Sequence, residues 1–225
     1  MKRLLKRLAA LLGRHHPELL VRIRYFLRFH KRLNLSHPTN LNEKIQYLSL
    51  RTDTSAWTRL TDKYEVREYV KECGLNSILN TLYGVWSRAD DIDFEGLPES
   101  FILKATHGSG DGIVVTDKEQ TDVQEVRRVF SHTLAETYGL AEGNLHYSRI
   151  TPRVIAEKLL TLDEWSARYS TSLIDYKFWC FHGRAHYILV CTNRKGANKS
   201  ELLTYDRAWN AHPEYGVYND HYVQG

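Results

Sequence analysis

The chain has 225 residues, a mass of 26.3 kDa, 42% hydrophobic and 26% charged residues and a net charge of +4, the profile of a soluble globular chain of one or two domains. Fourteen Tyr, seven Phe and five Trp exclude a mainly disordered chain, and no apolar run approaches the ~18 residues of a membrane-spanning helix. Three scattered cysteines, Cys73, Cys180 and Cys191, exclude a disulfide framework or a zinc cluster and point to a reducing compartment.

The charge is unevenly placed. Residues 1–33 hold ten Lys and Arg against one acid, Glu18, a net of +9 that leaves −5 for the remainder. Leu4, Leu5, Leu8, Leu11 and Leu12, then Leu19, Leu20, Ile23, Phe26 and Leu27, recur at helical spacing between the cations, with Gly13 and Pro17 dividing two amphipathic helices. Such an arm suits an anionic lipid surface; a packed helical hairpin with a solvated cationic face is the alternative, favoured for the second helix. A secretory signal does not fit, because the apolar stretch Leu8 to Leu12 is short and lacks a cleavage site. Nucleic acid is not expected as a partner, since the acidic body of the chain repels phosphate backbones.

After the break at His37-Pro38-Thr39-Asn40, a helix is predicted from Leu41 to about Leu50, with Asn40 as its cap and Glu43 three residues on. A second is predicted from Asp62 to Cys73, capped by Thr61, with Val66, Tyr69, Val70 and Cys73 as its apolar stripe and Gly74 as its stop. Ser100 to Ala105 and Gly112 to Thr116 read as strands around Thr106-His107-Gly108-Ser109-Gly110-Asp111. A helix from Asp122 to Tyr138 follows, with Thr121 and Gln124 as its capping box. Strands are predicted at Arg153 to Leu160, Leu173 to Phe181 and Ala185 to Thr192, the last two joined at His182-Gly183.

Four positions invite chemistry. Lys104 precedes a glycine-rich loop whose backbone N–H groups can close on an anion, and because a strand follows, neither a Walker loop nor a dinucleotide fold is indicated. A plain glycine-rich hairpin is the even-odds alternative. Lys63 in a first helical turn opposes the dipole by about 0.3–1 kcal/mol, a cost relieved by a bound phosphate or simply by Asp62. Glu157 and Lys158 interrupt an apolar strand, where the carboxylate can meet ribose hydroxyls or merely solvent. Asp175 and Lys177 share one strand face with Trp179, as a polar cleft wall or as the wet side of a sheet.

Their order sharpens these readings. Pro38-Thr39-Asn40-Leu41-Asn42-Glu43-Lys44-Ile45-Gln46-Tyr47, Asp62-Lys63-Tyr64 with Val66-Arg67-Glu68-Tyr69-Val70, Gly84-Val85-Trp86, Leu103-Lys104 with His107-Gly108-Ser109-Gly110, and Asp175-Tyr176-Lys177-Phe178 resemble the TupA-like ATP-grasp family of bacterial proteins of teichuronopeptide, capsule and related surface polysaccharides. The resemblance covers about residues 37–210. It implies an α+β, ATP-grasp-like fold with two small mixed or antiparallel sheet subdomains: a basic arm over 1–36, a helical subdomain over 37–95, a small subdomain with the glycine loop over 96–152 and a partial C-terminal subdomain over 153–225.

The resemblance also implies roles. Lys63 and Lys104 hold ATP phosphates; Gly108, Ser109, Gly110 and Gly112, with His107 beside them, form the covering loop; Glu157 sits at the adenosine with backbone groups of Lys158 and Leu159 on the adenine edge; Lys177 is a further phosphate-side candidate. ATP and Mg²⁺ are the implied cofactors, and the implied reaction joins a carboxylate to an amine through an acyl phosphate in the cytoplasm, or at the inner membrane face if the arm binds lipid. The family's C-terminal metal-binding stretch is missing: Asp206, Glu214 and Asp220 lack its spacing. The expectation is a truncated ligase, a nucleotide-binding module with little catalysis or a site completed by a partner. A glycosyltransferase of the same pathway is the rival, weakened because Asp91-Ile92-Asp93 reads as a turn rather than a metal motif.

Overall fold

The computed structural model describes residues 2–194 and 200–215, with side chains from Leu4 onward. They form six α-helices and two antiparallel sheets, an α+β arrangement, in two compact units, 1–159 and 160–225.

The first unit opens with α1 (Lys2–His15) and α2 (Pro17–Phe29), divided where Pro17 occupies the first turn of the second helix. Leu20, Val21 and Tyr25 of α2 are buried with Leu33 and Leu35. α3 (Leu41–Arg51) begins with the expected reciprocal cap: the Asn40 side chain accepts from the Glu43 N–H, and the Glu43 carboxylate accepts from Asn40. The buried Glu43 also accepts from the Tyr25 hydroxyl, which ties α2 to α3.

The predicted helix from Asp62 to Cys73 needs correction. Within that span stands one helix, α5 (Glu65–Glu72), which begins three residues late; a separate helix, α4 (Ser55–Thr61), precedes it, and Asp62 and Lys63 lie in the joint between the two. Thr61 ends α4 and does not cap α5, whose cap residue is Tyr64 without a side-chain cap bond; the Asp62 carboxylate instead accepts from the N–H groups of Tyr64 and Glu65 at 2.8 and 3.3 Å. Tyr69 and Cys73 are exposed, so the predicted apolar stripe is also incomplete.

β1 (Leu82–Trp86), β2 (Phe101–Ala105), β3 (Ile113–Val115) and β4 (Val154–Lys158) make one sheet in the order β1-β4-β2-β3. Alternation sends Phe101, Leu103 and Ala105 to one face. There they bury with Val154 and Ala156 against Val126 and Phe130 of α6 (Val123–Ala135) and against Ile92, Phe94 and Leu97. The cap of α6 is Asp122, which accepts from Glu125 N–H, one residue beyond the predicted Thr121 and Gln124; the Thr121 hydroxyl donates instead to Asp117 O.

Because β4 pairs with both β1 and β2, strands from either side of the boundaries expected at 95/96 and 152/153 share one sheet, and the two compact units divide after Leu159. The second unit holds β5 (Asp175–Phe181), β6 (Arg184–Thr192) and β7 (Glu201–Asp206) as a three-stranded sheet. Its first hairpin turns on His182 and Gly183, both at positive φ, as a two-residue turn requires.

Candidate functional site

The face of the first sheet turned away from α6 carries the charged residues. Register places Ile102 opposite Glu157 and Lys104 opposite Ile155, so Lys104 and Glu157 are diagonal neighbours. Lys104 Nζ donates to Glu157 Oε2 at 2.9 Å, and the other oxygen, Oε1, accepts from Arg67 Nη1 of α5 at 2.9 Å. Arg67 is anchored in turn, donating from Nη2 to Asn80 O at 2.6 Å. Arg67 and Glu157 are each only 11% exposed at the side chain, so the carboxylate is held between two cations in a largely dehydrated setting.

Lys63 approaches the same region from the α4–α5 joint. Its N–H donates to Thr106 O, and its ammonium donates to Ala105 O at 2.6 Å and to Gly108 O, beneath the glycine loop. Burial pushes the Lys63 ammonium below its ordinary range; the Asp111 carboxylate opposes that shift, and the nearby Lys104 adds to it. Burial likewise raises the Asp62 carboxyl, whose charge is partly met by Arg153 at 3.5 Å.

Within the loop, a Cβ on Gly108 would lie 2.4 Å from Asp111 Oδ2. Only glycine lets that carboxylate fold back so closely. Among the described residues Asp111 Oδ2 has no hydrogen-bond donor although it is buried. Ser109, Gly110 and Gly112 are exposed, whereas His107 is 2% exposed and turned toward α6, its Nε2 against Thr133 O at 3.2 Å. The fold thus gathers Lys63, Lys104, Gly108 and Glu157, and sets His107 on the other side of the loop.

Lys158 and Leu159 end β4. The Lys158 N–H donates to Thr81 O at 2.9 Å and its carbonyl accepts from Asn80 Nδ2 at 2.8 Å, leaving that carbonyl one further lone pair. Lys177 belongs to the second unit, where its ammonium and Arg194 both meet Asp175. Also in that unit, Asp206 is held to about 2, first by the Asn210 side chain and backbone, and Glu214 pairs with His212. Asp220 lies outside the described residues.

Two ammonium groups beside a glycine loop with exposed backbone fit a polyphosphate, which needs cations and N–H donors on one side. A protein-held Mg²⁺ does not fit equally: among the described residues no three His, Cys, Asp or Glu side chains are grouped to hold a metal. Arg67, Asn80, Arg153 and Asp111 escaped the sequence reading as site residues. For Arg67 a signal existed, a cation four residues after Lys63 on the inner side of a helix beside Val66 and Val70.

A family model described as TupA-like ATPgrasp matches residues 43–224. No curated protein and no solved structure matches the chain.

Proposed function

Because this chain belongs to the TupA-like ATP-grasp family, we propose that its first unit binds the phosphates of ATP through Lys63 and Lys104 under the loop 108–112. The convergence of the two ammonium groups beside that loop carries the reading. Lys63 is aimed by two carbonyls and Lys104 by Glu157, so both arrive positioned for an anion at little further cost in side-chain order. A phosphate displacing those carbonyl contacts returns a full counter-charge to a half-dehydrated ammonium. Glu157, fixed by Arg67, lies where it can accept from a ribose hydroxyl, and the spare lone pair of the Lys158 carbonyl can accept from an adenine amine. Leu159 follows at the end of the strand.

The reaction proposed is ATP-driven joining of a carboxylate to an amine in the making of a bacterial surface polysaccharide. The chain's own residues would position the reactants and stabilise the charge that develops on the transferred phosphoryl group. Mg²⁺ accompanying ATP would neutralise phosphate charge, and no step is assigned to a protein-held metal. A second reading, nucleotide binding with little catalysis, is favoured by the lack of a metal-ligand group among the described residues.

Thermal-shift titration of the full chain with ATP and Mg²⁺ against a panel of UDP-sugars tests the nucleotide assignment. Ligand-dependent stabilisation is expected with ATP, and stabilisation by a UDP-sugar alone overturns it in favour of glycosyl transfer. ADP release on adding carboxylates and amines then separates a working ligase from a binding module.

A further inference from the structure

We propose that α1 and α2 form a docking surface for an anionic lipid bilayer, an assignment independent of the nucleotide reading. The observation behind it is which side of each helix the fold uses. α1 seats itself through small residues: Gly13 is buried and Ala9 and Ala10 half-buried, and a Cβ on Gly13 would lie 2.1 Å from Leu140 O. The close approach of the Ala and Gly face to the backbone near residue 140 leaves the leucine face pointing out. Leu4, Leu8 and Leu11, spaced i, i+4, i+7, are more than half exposed, Leu4 at 62%.

The second helix repeats the arrangement. Leu20, Val21 and Tyr25 go inward, while Leu19, Ile23, Phe26 and Leu27 lie on the opposite, exposed side, Leu27 at 68%. Leucine and phenylalanine left in water along two consecutive helices cost free energy that a partner would recover.

Charge decides which partner. Arg7 and Arg14 follow Leu4 and Leu11 by three residues and so border the leucine stripe. Neither they nor Arg28, Lys31 and Arg32 make an ion pair among the described residues. A second copy would bring a +9 segment against its like, a repulsive arrangement. An anionic headgroup layer supplies the opposite charge and an acyl boundary for the leucines in one plane. No helix among the described residues is long and apolar enough to cross a membrane, so the contact would be interfacial.

The test is flotation of the full chain with phosphatidylcholine vesicles that do or do not contain phosphatidylglycerol. Binding is expected only with phosphatidylglycerol, falling as salt rises. Leu4→Glu/Leu8→Glu should abolish it, and Arg7→Gln/Arg14→Gln should weaken it by about thirtyfold, from the typical lipid-surface contribution of two cations. Circular dichroism and melting unchanged from the parent would show that these exposed positions were altered without loss of fold. The proposal is overturned if the parent does not float, if it binds uncharged vesicles equally, or if the variants bind like the parent. It is also overturned if the parent is a non-floating dimer that Leu4→Glu/Leu8→Glu turns into a monomer, since a second copy would then be the occupant.

Discussion

Glu157→Gln isolates the electrostatic hinge of the candidate site. In the parent, both carboxylate oxygens accept at 2.9 Å, one from Arg67 and one from Lys104. Glutamine retains a single acceptor. If its carbonyl stays with Arg67, its NH₂ faces the Lys104 ammonium, two donors with nothing to share. Arg67 is 11% exposed at the side chain, so the substitution leaves its guanidinium poorly compensated out of water. Removing one partner of such a pair costs about 3 kcal/mol or somewhat more, and for a unit of this size that corresponds to a fall in melting temperature of roughly 6–12 °C.

Differential scanning calorimetry of the full chain is the assay, with the transition of the first unit assigned separately because two units need not melt together. A companion variant, Arg67→Met/Glu157→Met, removes both charges at once and should recover most of the loss, because a buried pair replaced by apolar side chains is often neutral or better. If Glu157→Gln melts within 2 °C of the parent, well short of a fall of roughly 6 °C, the carboxylate is not a dehydrated clamp between Arg67 and Lys104.

Two further outcomes follow from the same geometry. Since burial lowers Lys63 and the proposed phosphate contact needs its ammonium form, nucleotide affinity should decline with rising pH below the range of an ordinary lysine; calorimetric titration across alkaline pH should show that decline and its removal in Lys63→Arg. Gly108→Ala should displace the Asp111 carboxylate, whose Oδ2 would meet the new Cβ, at a modest cost to stability that an Asp111→Gly background removes, a coupling that urea denaturation of the double-mutant cycle can read.

Local signals were legible where one stretch of chain determines its own structure. The Asn40 and Glu43 cap, the 3.6-residue periodicity of α1, α2 and α3, and the glycine hairpin between two β-branched runs could each be read from neighbours in sequence. α4 could not, since it buries no residue and has no apolar stripe. β1 is broken by Gly84, a poor strand former, and is held by pairing with β4 some seventy residues later; β7 likewise depends on β6. Thr121 and Asp122 both satisfy a capping pattern with the residue three further on, and only the backbone decided between them.

The site followed the same division. Lys63, Lys104 and the loop could be nominated because cations beside glycines suit phosphate, with the order of the short motifs tipping an otherwise even choice. His107 stands next to the loop in sequence, yet its ring is committed to α6. Arg67 and Glu157, 90 residues apart, meet because the Arg67 side chain of α5 reaches the sheet face on which register places the carboxylate.

Isothermal titration of the full chain, Lys63→Ala and Lys104→Ala with ATP and with adenosine tests the phosphate site most directly. In Lys104→Ala the Glu157 carboxylate keeps Arg67, so the fold should survive the change. The expected result is that each variant loses about tenfold to a hundredfold in ATP affinity, the range of one charge-assisted contact, while any response to adenosine is unchanged. ATP binding of parental strength in both variants, or adenosine bound as tightly as ATP by the parent, would contradict a phosphate site built from these two lysines and the loop beside them.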